Sequence, residues 1–462
     1  MTKKISLRLL VLFVTTITLL SCQSDTEKAD KLRLENKFDE AVALYQKAAD
    51  AGDAYAMWRL SNAYGCGDGI DRDEVKALEL LKKSADAGCE EAKCFLAEAY
   101  IFDWYNIGKD TNKGKKMLDD LVKTTSNSTV LSEYAILFFM DGSPYGQDDE
   151  KVIRILKKVE DKNNPYYLYL MGGIYECGTD KIEINAEKAI EYYTKAFENG
   201  IRRSASRLVG IYYNGCGNVK ADKAKVIEWL NRGIESNETD CMNYMANFCL
   251  SEDSTYHDLH NPQRAVELYR RAAKHGEGSA FFKLGNLYFD GEFLPKDDKK
   301  AFENWKKGCE LKNDDATSNL AYCYIYGVGC EKDEEKGIEF YKLAVKYGSG
   351  FSANNLYECY LKGAYGVEQD IDLAKEFLLK AAELEDPNGC YRLGLQYYLG
   401  KEPFSKNESQ AFVYMKKAAD KGHVDACGML ALFYERGIGV DKDPKKAKEY
   451  KDKTRANNDE KK

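Results

Sequence analysis

Along most of the chain a leucine and a tyrosine stand four apart, often with a glycine three further on. The phrase appears as Leu60 and Tyr64, then as Leu208, Tyr212 and Gly215, and as Leu284, Tyr288 and Gly291. It returns as Leu356, Tyr360 and Gly363, as Leu393, Tyr397 and Gly400, and as Leu430, Tyr434 and Gly437. An apolar pair at i and i+4 lies on one face of a helix, and the glycine marks where that helix stops.

A second phrase follows each first one. An Asp or Asn is succeeded four residues later by a small residue and four beyond that by an aromatic or Leu. The leading residues are Asp73, Asp110, Asp148, Asn185, Asp222, Asn261, Asp297, Asp333, Asp370, Asn407 and Asp443, spaced 36 to 39 apart. Such side chains accept hydrogen bonds from the free N–H groups of a helical first turn. Pro262 and Pro444 follow two of them, at the first helical position that suits proline. Eleven second helices are therefore predicted at one phase.

The small residues, among them Ala77, Ala189, Ala301 and Ala447, allow two helices to approach closely. Leu81, Tyr193, Tyr269, Trp305 and Tyr341 are expected to fill the groove between them. Many second helices close on glycine, as at Gly52, Gly88, Gly200, Gly276, Gly348 and Gly422, where a left-handed residue turns the chain. One helix pair cannot bury its own apolar face, so neighbours must stack into an open superhelix with a concave and a convex side. The expectation is an all-α fold, a right-handed α/α solenoid of about eleven helix-turn-helix repeats. Most of the tyrosines are then core.

The run Leu208-Val209-Gly210-Ile211-Tyr212-Tyr213-Asn214-Gly215-Cys216-Gly217, followed by a capped helix, resembles the Sel-1-like repeat, a relative of the tetratricopeptide class. The resemblance extends over residues 54–450. It implies an α-solenoid adaptor that binds other proteins, and relatives of this kind occur among outer-membrane lipoproteins. Residues 31–53 are expected to form an N-terminal capping helix, and 451–462 a polar tail. The pattern falters where Phe139 and Phe248 replace the usual Tyr, where 101–109 and 142–147 lack the usual glycine pair, and where 251–261 lengthen an interhelix loop.

The N-terminus changes the picture from a free solenoid to an anchored one. Lys3, Lys4 and Arg8 precede an apolar run from Leu9 to Leu20, the layout of an export signal and too short to span a bilayer. The run ends Leu19-Leu20-Ser21-Cys22, which resembles the lipobox of bacterial lipoproteins. That resemblance implies a signal peptide over 1–21, lipidation of Cys22 and a tether over 22–30. More than one acyl chain makes such attachment effectively permanent. Gln23 follows Cys22 where an inner-membrane retention signal would place Asp, so the outer membrane is the expected location. Periplasmic and surface-exposed orientations are both compatible with the sequence, and the acidic stretch behind Cys22 loosely resembles surface-export signals of Bacteroides-like lipoproteins.

The net charge is −8 and becomes more negative once a basic leader is removed. Nucleic-acid backbones call for a basic face, so no nucleic-acid partner is expected. Thirteen cysteines remain besides Cys22, an odd number. Some relatives staple successive repeats with cysteines eight apart, but here Cys309 meets Thr317, while Cys390 and Cys427 meet Ala382 and Ala419. Cys323 and Cys359 share a phase in neighbouring repeats, and Cys241 and Cys249 lie two turns apart on one helix, both too far to bridge.

His257 and His260, with Asp258 between them and Cys249 nearby, have ligand types suited to zinc. Two histidines in a polar insertion do not make a site, and no metal or cofactor is expected. Because some relatives are described as β-lactamases, the nucleophile motifs matter. Ser-x-x-Lys, Ser-Asp-Asn, Lys-Thr-Gly and Gly-x-Ser-x-Gly are all absent, as are His-Glu-x-x-His and the P-loop. The chain reads as a non-enzymatic, lipid-anchored scaffold or adaptor at the bacterial envelope. The alternative is a surface receptor that binds a peptide or glycan in its concave groove, with Trp58, Trp104 and Tyr105 as stacking candidates, although the helical phase of Trp58 favours the core.

Overall fold

Each crossover between paired helices is tied at its end by one backbone hydrogen bond. The N–H of the capping residue donates to the carbonyl of an aromatic late in the first helix: Asp73 to Tyr64 at 3.0 Å, Asn185 to Tyr175 at 2.8 Å, Asp333 to Tyr324 at 2.7 Å. The same bond closes the crossover of all eleven predicted repeats, at Cys249 in the one that carries the long loop. It spans nine residues at Tyr64–Asp73, ten at Tyr175–Asn185 and twelve at Cys249–Asn261. The capping side chain accepts from the N–H three residues on in every one of the eleven, as Asp73 does from Lys76 and Asp443 from Lys446. The eleven-cap prediction is met residue by residue.

The structure is a computed structural model in which residues 24–140, 143–252 and 255–459 are described. Among these residues the regular secondary structure is helical apart from two isolated bridges, Thr179 with Ile182 and Cys216 with Val219. Two compact units divide the chain, one through Gly276 and one from Glu277. The first holds seven helix pairs, from Asp25–Leu34 with Phe38–Asp50 to Thr239–Leu250 with Pro262–Lys274. The second holds five, from Gly278–Asp290 with Asp298–Glu310 to Val424–Arg436 with Pro444–Asp459.

Packing follows the residue sizes. Ala77, Ala189 and Ala301 are fully buried, and Leu81, Tyr193, Tyr269 and Trp305 are at most 2 % exposed beside them. Helical glycines receive the largest of these side chains: a Cβ at Gly285 would collide with the Trp305 indole, and one at Gly172 with the Tyr193 ring. Their polar tips stay satisfied, as a buried Tyr or Trp requires. Trp305 Nε1 donates to Asn286 at 3.1 Å, Tyr269 to Asn247 at 2.6 Å and Tyr193 to Glu176 at 2.7 Å.

First helices end on left-handed glycines at Gly67, Gly291, Gly327, Gly363, Gly400 and Gly437. In three crossovers the glycine two residues later presses on the preceding second helix. A Cβ at Gly69 would overlap the Phe38 carbonyl, one at Gly329 that of Asp298, and one at Gly439 that of Glu408. This contact explains the glycine pair of the repeat.

The N-terminal expectation needs correction. Helix Asp25–Leu34 begins inside the stretch 22–30 that was expected to be a tether, because Ser24 and Glu27 form a reciprocal capping box. The stretch 31–53 is likewise not one helix: the chain breaks after Leu34, passes through Asn36 at φ 60° and restarts at Phe38. At the other end the last helix runs to Asp459, well into the expected tail of 451–462. Cys22 and the leader 1–21 lie outside the described residues. No helix among the described residues is long and apolar enough to cross a membrane.

Candidate functional site

The first unit folds back on its own beginning. Asp68, in the first crossover, meets Arg202 at 2.8 Å and accepts from Asn237 Nδ2 at 3.3 Å, while His275 Nδ1 lies 2.9 Å from the Cys66 carbonyl. Arg202 also donates to the Ser236 carbonyl at 3.1 Å. The contacts of Asp68 and Cys66 join residues 134 to 209 apart in sequence and flank an open-sided cavity of about 440 Å³.

The helices deliver charge into this cavity one element at a time. Arg33 comes from the last turn of Asp25–Leu34, Arg59 from Ala54–Cys66, Glu98 from Glu90–Phe102 and Glu133 from Ser128–Phe139. Arg203 and Glu238 reach it from just ahead of Ser204–Asn214 and Thr239–Leu250. Tyr166 sits among them, and its hydroxyl feels Glu133, Arg59, Arg203 and Arg33.

Arg59 is matched in charge: its Nε lies 3.0 Å from Asp30, though out of line for a hydrogen bond, and its terminal nitrogen donates to the Tyr55 hydroxyl. Burial opposes its charge, but the Tyr55, Asp30 and Tyr45 oxygens outweigh that and hold the guanidinium ionised. Arg33 is not matched. Its Nε is shielded from solvent with no acceptor, and one terminal nitrogen reaches the Gly200 carbonyl at a long 3.5 Å. Burial, then repulsion from Arg59, lowers its proton affinity.

The acidic groups are equally costly. Glu98 and Glu133 are 4 % and 7 % exposed. Burial raises the Glu98 carboxyl well above the usual range, reinforced by Glu133. Burial also pushes Glu133 up to about 7 against the pull of Arg203, and pushes Glu238 up to about 7. Neither Glu98 nor Glu133 is ion-paired among the described residues.

Of the stacking candidates, Trp58 is 1 % exposed and belongs to the core, packed edge-on against Phe95 with centroids 5.5 Å apart. Trp104 and Tyr105 line the cavity. Trp104 is 38 % exposed and stacks on Phe102 at 5.8 Å. Tyr105 is held at φ 56° with its hydroxyl over Gly65, where any side chain would displace it. The irregular stretch 101–109 thus supplies the aromatic wall. Sequence reading singled out that stretch and both aromatics but missed Arg33, Glu98 and Glu133, which carry no local signal.

The second unit presents a different surface. Phe289 and Tyr322 approach at 6.2 Å, Tyr322 and Tyr326 at 4.6 Å, and the Tyr326 and Tyr365 hydroxyls hydrogen-bond at 2.8 Å. Tyr322 and Tyr326 are 38 % and 52 % exposed. The result is an aromatic strip across three successive repeats, exposed at Tyr322 and Tyr326 and half-buried at Phe289 and Tyr365.

The remaining candidates do not converge. Asp258 pairs with Lys223, Cys249 is fully buried, and His257 stacks on His260 with centroids 6.4 Å apart. No group of three or more His, Cys, Asp or Glu among the described residues is placed to hold a metal ion. All thirteen described cysteines are thiols, including Cys323 and Cys359, and the Cys390 thiol donates to the Ala382 carbonyl at 3.7 Å.

Comparison with known proteins bears on the repeat fold. The Sel1 repeat family matches ten stretches, at 34–53, 54–89, 165–201, 204–238, 239–277, 279–313, 314–349, 351–386, 387–423 and 424–450. Chitin synthase regulatory factor 3 of Schizosaccharomyces pombe is 25 % identical over 149 residues, which are 32 % of this chain and 16 % of that protein. The ERAD-associated E3 ubiquitin-protein ligase component HRD3A of Arabidopsis thaliana is 25 % identical over 192 residues, 39 % of this chain and 27 % of that protein. The chain therefore spans under a third of the length of these curated relatives. Among solved structures, a Sel1 repeat protein from Oxalobacter formigenes is 24 % identical with a TM-score of 0.45, covering 54 % of this chain and 96 % of that one. Sel1 repeat proteins are generally non-catalytic adaptors that bind protein partners. With matches across more than half its length and helix pairs at the matched positions, the chain belongs to the Sel1 repeat family.

Proposed function

We propose that this protein is a binding scaffold held at the bacterial outer membrane by lipid on Cys22, with its repeats presented to one or more protein partners. The observation that carries the reading is the aromatic strip of Phe289, Tyr322, Tyr326 and Tyr365, exposed at its two central tyrosines, in a family of protein-binding adaptors. Tyrosine is enriched where protein interfaces concentrate their energy, because it offers a large rigid face and a polar tip. The anchor rests on the leader and Leu19-Leu20-Ser21-Cys22. Regulatory and assembly-component names among the relatives point the same way.

A photocrosslinker at Tyr326 in intact cells tests the scaffold. A discrete adduct that disappears when Tyr322 is changed to alanine supports it; recovery of no specific protein sinks it. Labelled fatty acid incorporated by the native chain and lost in Cys22→Ser tests the anchor. Protease shaving of whole cells decides which side of the membrane the repeats face.

A further inference from the structure

The first unit's cavity holds ionisable groups that the protein itself leaves incompletely matched. Arg33 contributes a guanidinium whose Nε has no acceptor, and the acid that acts on it, Asp30, is already paired with Arg59. Across the same cavity Glu98 and Glu133 face a single nearby cation, Arg203, whose guanidinium lies over the Tyr169 ring at 4.3 Å. Burial keeps the two acids protonated while no further cation lies beside them, whereas a ligand ammonium would favour their ionised form and a ligand carboxylate would give Arg33 a counter-charge of its own, so one ligand carrying both groups answers both ends. An anion alone would leave the acid pair unanswered, and a cation alone would leave Arg33.

The space and walls fit a small organic molecule. A volume of about 440 Å³ falls within the range of small-molecule pockets, and such pockets combine apolar walls with a few convergent polar groups. Phe38, Phe95, Trp104 and Tyr105 are the walls here.

We propose that this cavity binds a free amino acid or short peptide by its two charged ends, carboxylate toward Arg33 and ammonium toward Glu98 and Glu133, with an apolar side chain against Trp104 and Tyr105. The site is independent of partner docking by the second unit, so a failed crosslinking experiment leaves it standing.

The test is native mass spectrometry of the full chain with a mixed library of free dipeptides, and with the same library N-acetylated or C-terminally amidated. Expected is retention of free dipeptides, with capping of either end weakening binding by about tenfold or more. In Arg33→Gln, free and amidated peptides should bind alike; in the double variant Glu98→Gln with Glu133→Gln, free and acetylated ones should. Absence of any bound free dipeptide at about 1 mM overturns the proposal. So does equal binding of capped and free libraries by the native chain, a comparison that needs no variant to fold.

Discussion

The backbone N–H of Asn407 donates to the carbonyl of Tyr397 at 2.8 Å, which ties the start of a second helix to the first helix of the same repeat. The Asn407 side chain then accepts from the Gln410 N–H at 3.1 Å. Substituting alanine keeps the first bond and deletes the second. Asn407→Ala should cost about 1 kcal/mol, read as a lowered midpoint of chemical denaturation, while Asn407→Asp should fall within a few tenths of the native protein.

Two glycines of the second unit should respond in opposite directions. Gly329 sits at φ 69° against the Asp298 carbonyl, so Gly329→Ala pays for both the left-handed backbone and the overlap, about 2–4 kcal/mol together. Gly428 lies within helix Val424–Arg436 with open space where a Cβ would stand. Gly428→Ala should therefore stabilise by about 0.5–1 kcal/mol. Thermal melts of both variants check the contrast, and equal effects would refute the packing.

Asp68 is 14 % exposed at its side chain and Arg202 25 %, so removing one partner strands the other in a poor solvent. Asp68→Ala should destabilise the first unit by about 3 kcal/mol. Hydrogen exchange would show faster opening of residues 24–276, with protection in 277–459 unchanged.

Glu133 makes stability depend on pH in a defined direction. Its folded-state pKa of about 7 lies above the ordinary 4.5, so the native state holds the proton more tightly than the unfolded chain. That contribution is present below pH 4.5 and is lost as pH rises through 7. Glu133→Gln should flatten the fall in the first unit's stability across this window relative to the native protein. Parallel pH-dependent curves for the two proteins would exclude the assignment.

How far the sequence could be read depends on the distance over which each feature is determined. Caps such as Asp73 and Asn185 act within three residues, and every one was legible. Trp305 beneath Gly285 was legible in outline, since the phase of a repeat fixes what its helices exchange. Helix Asp25–Leu34 escaped because Ser24 and Glu27 lie in a polar stretch with no repeat phrase. Lys312, at φ 60°, shows that the left-handed turn after a second helix persists even where glycine is replaced. The contact between Asp68 and Arg202 had no signal at all: it depends on curvature accumulated over several repeats, and neither residue breaks the local pattern. The cavity and its incompletely matched ionisable groups follow from that contact, so they were hidden with it.

The tie from capping residue to first-helix carbonyl is indifferent to the length of the connection it closes. It forms identically over nine, ten or twelve intervening steps, so the helices on either side do not register how much chain passes between them. Each crossover is thus a socket that can accept extra residues without disturbing the stack. New surface chemistry can be grafted there one segment at a time, and natural variants of this architecture should differ first in the length of these connections.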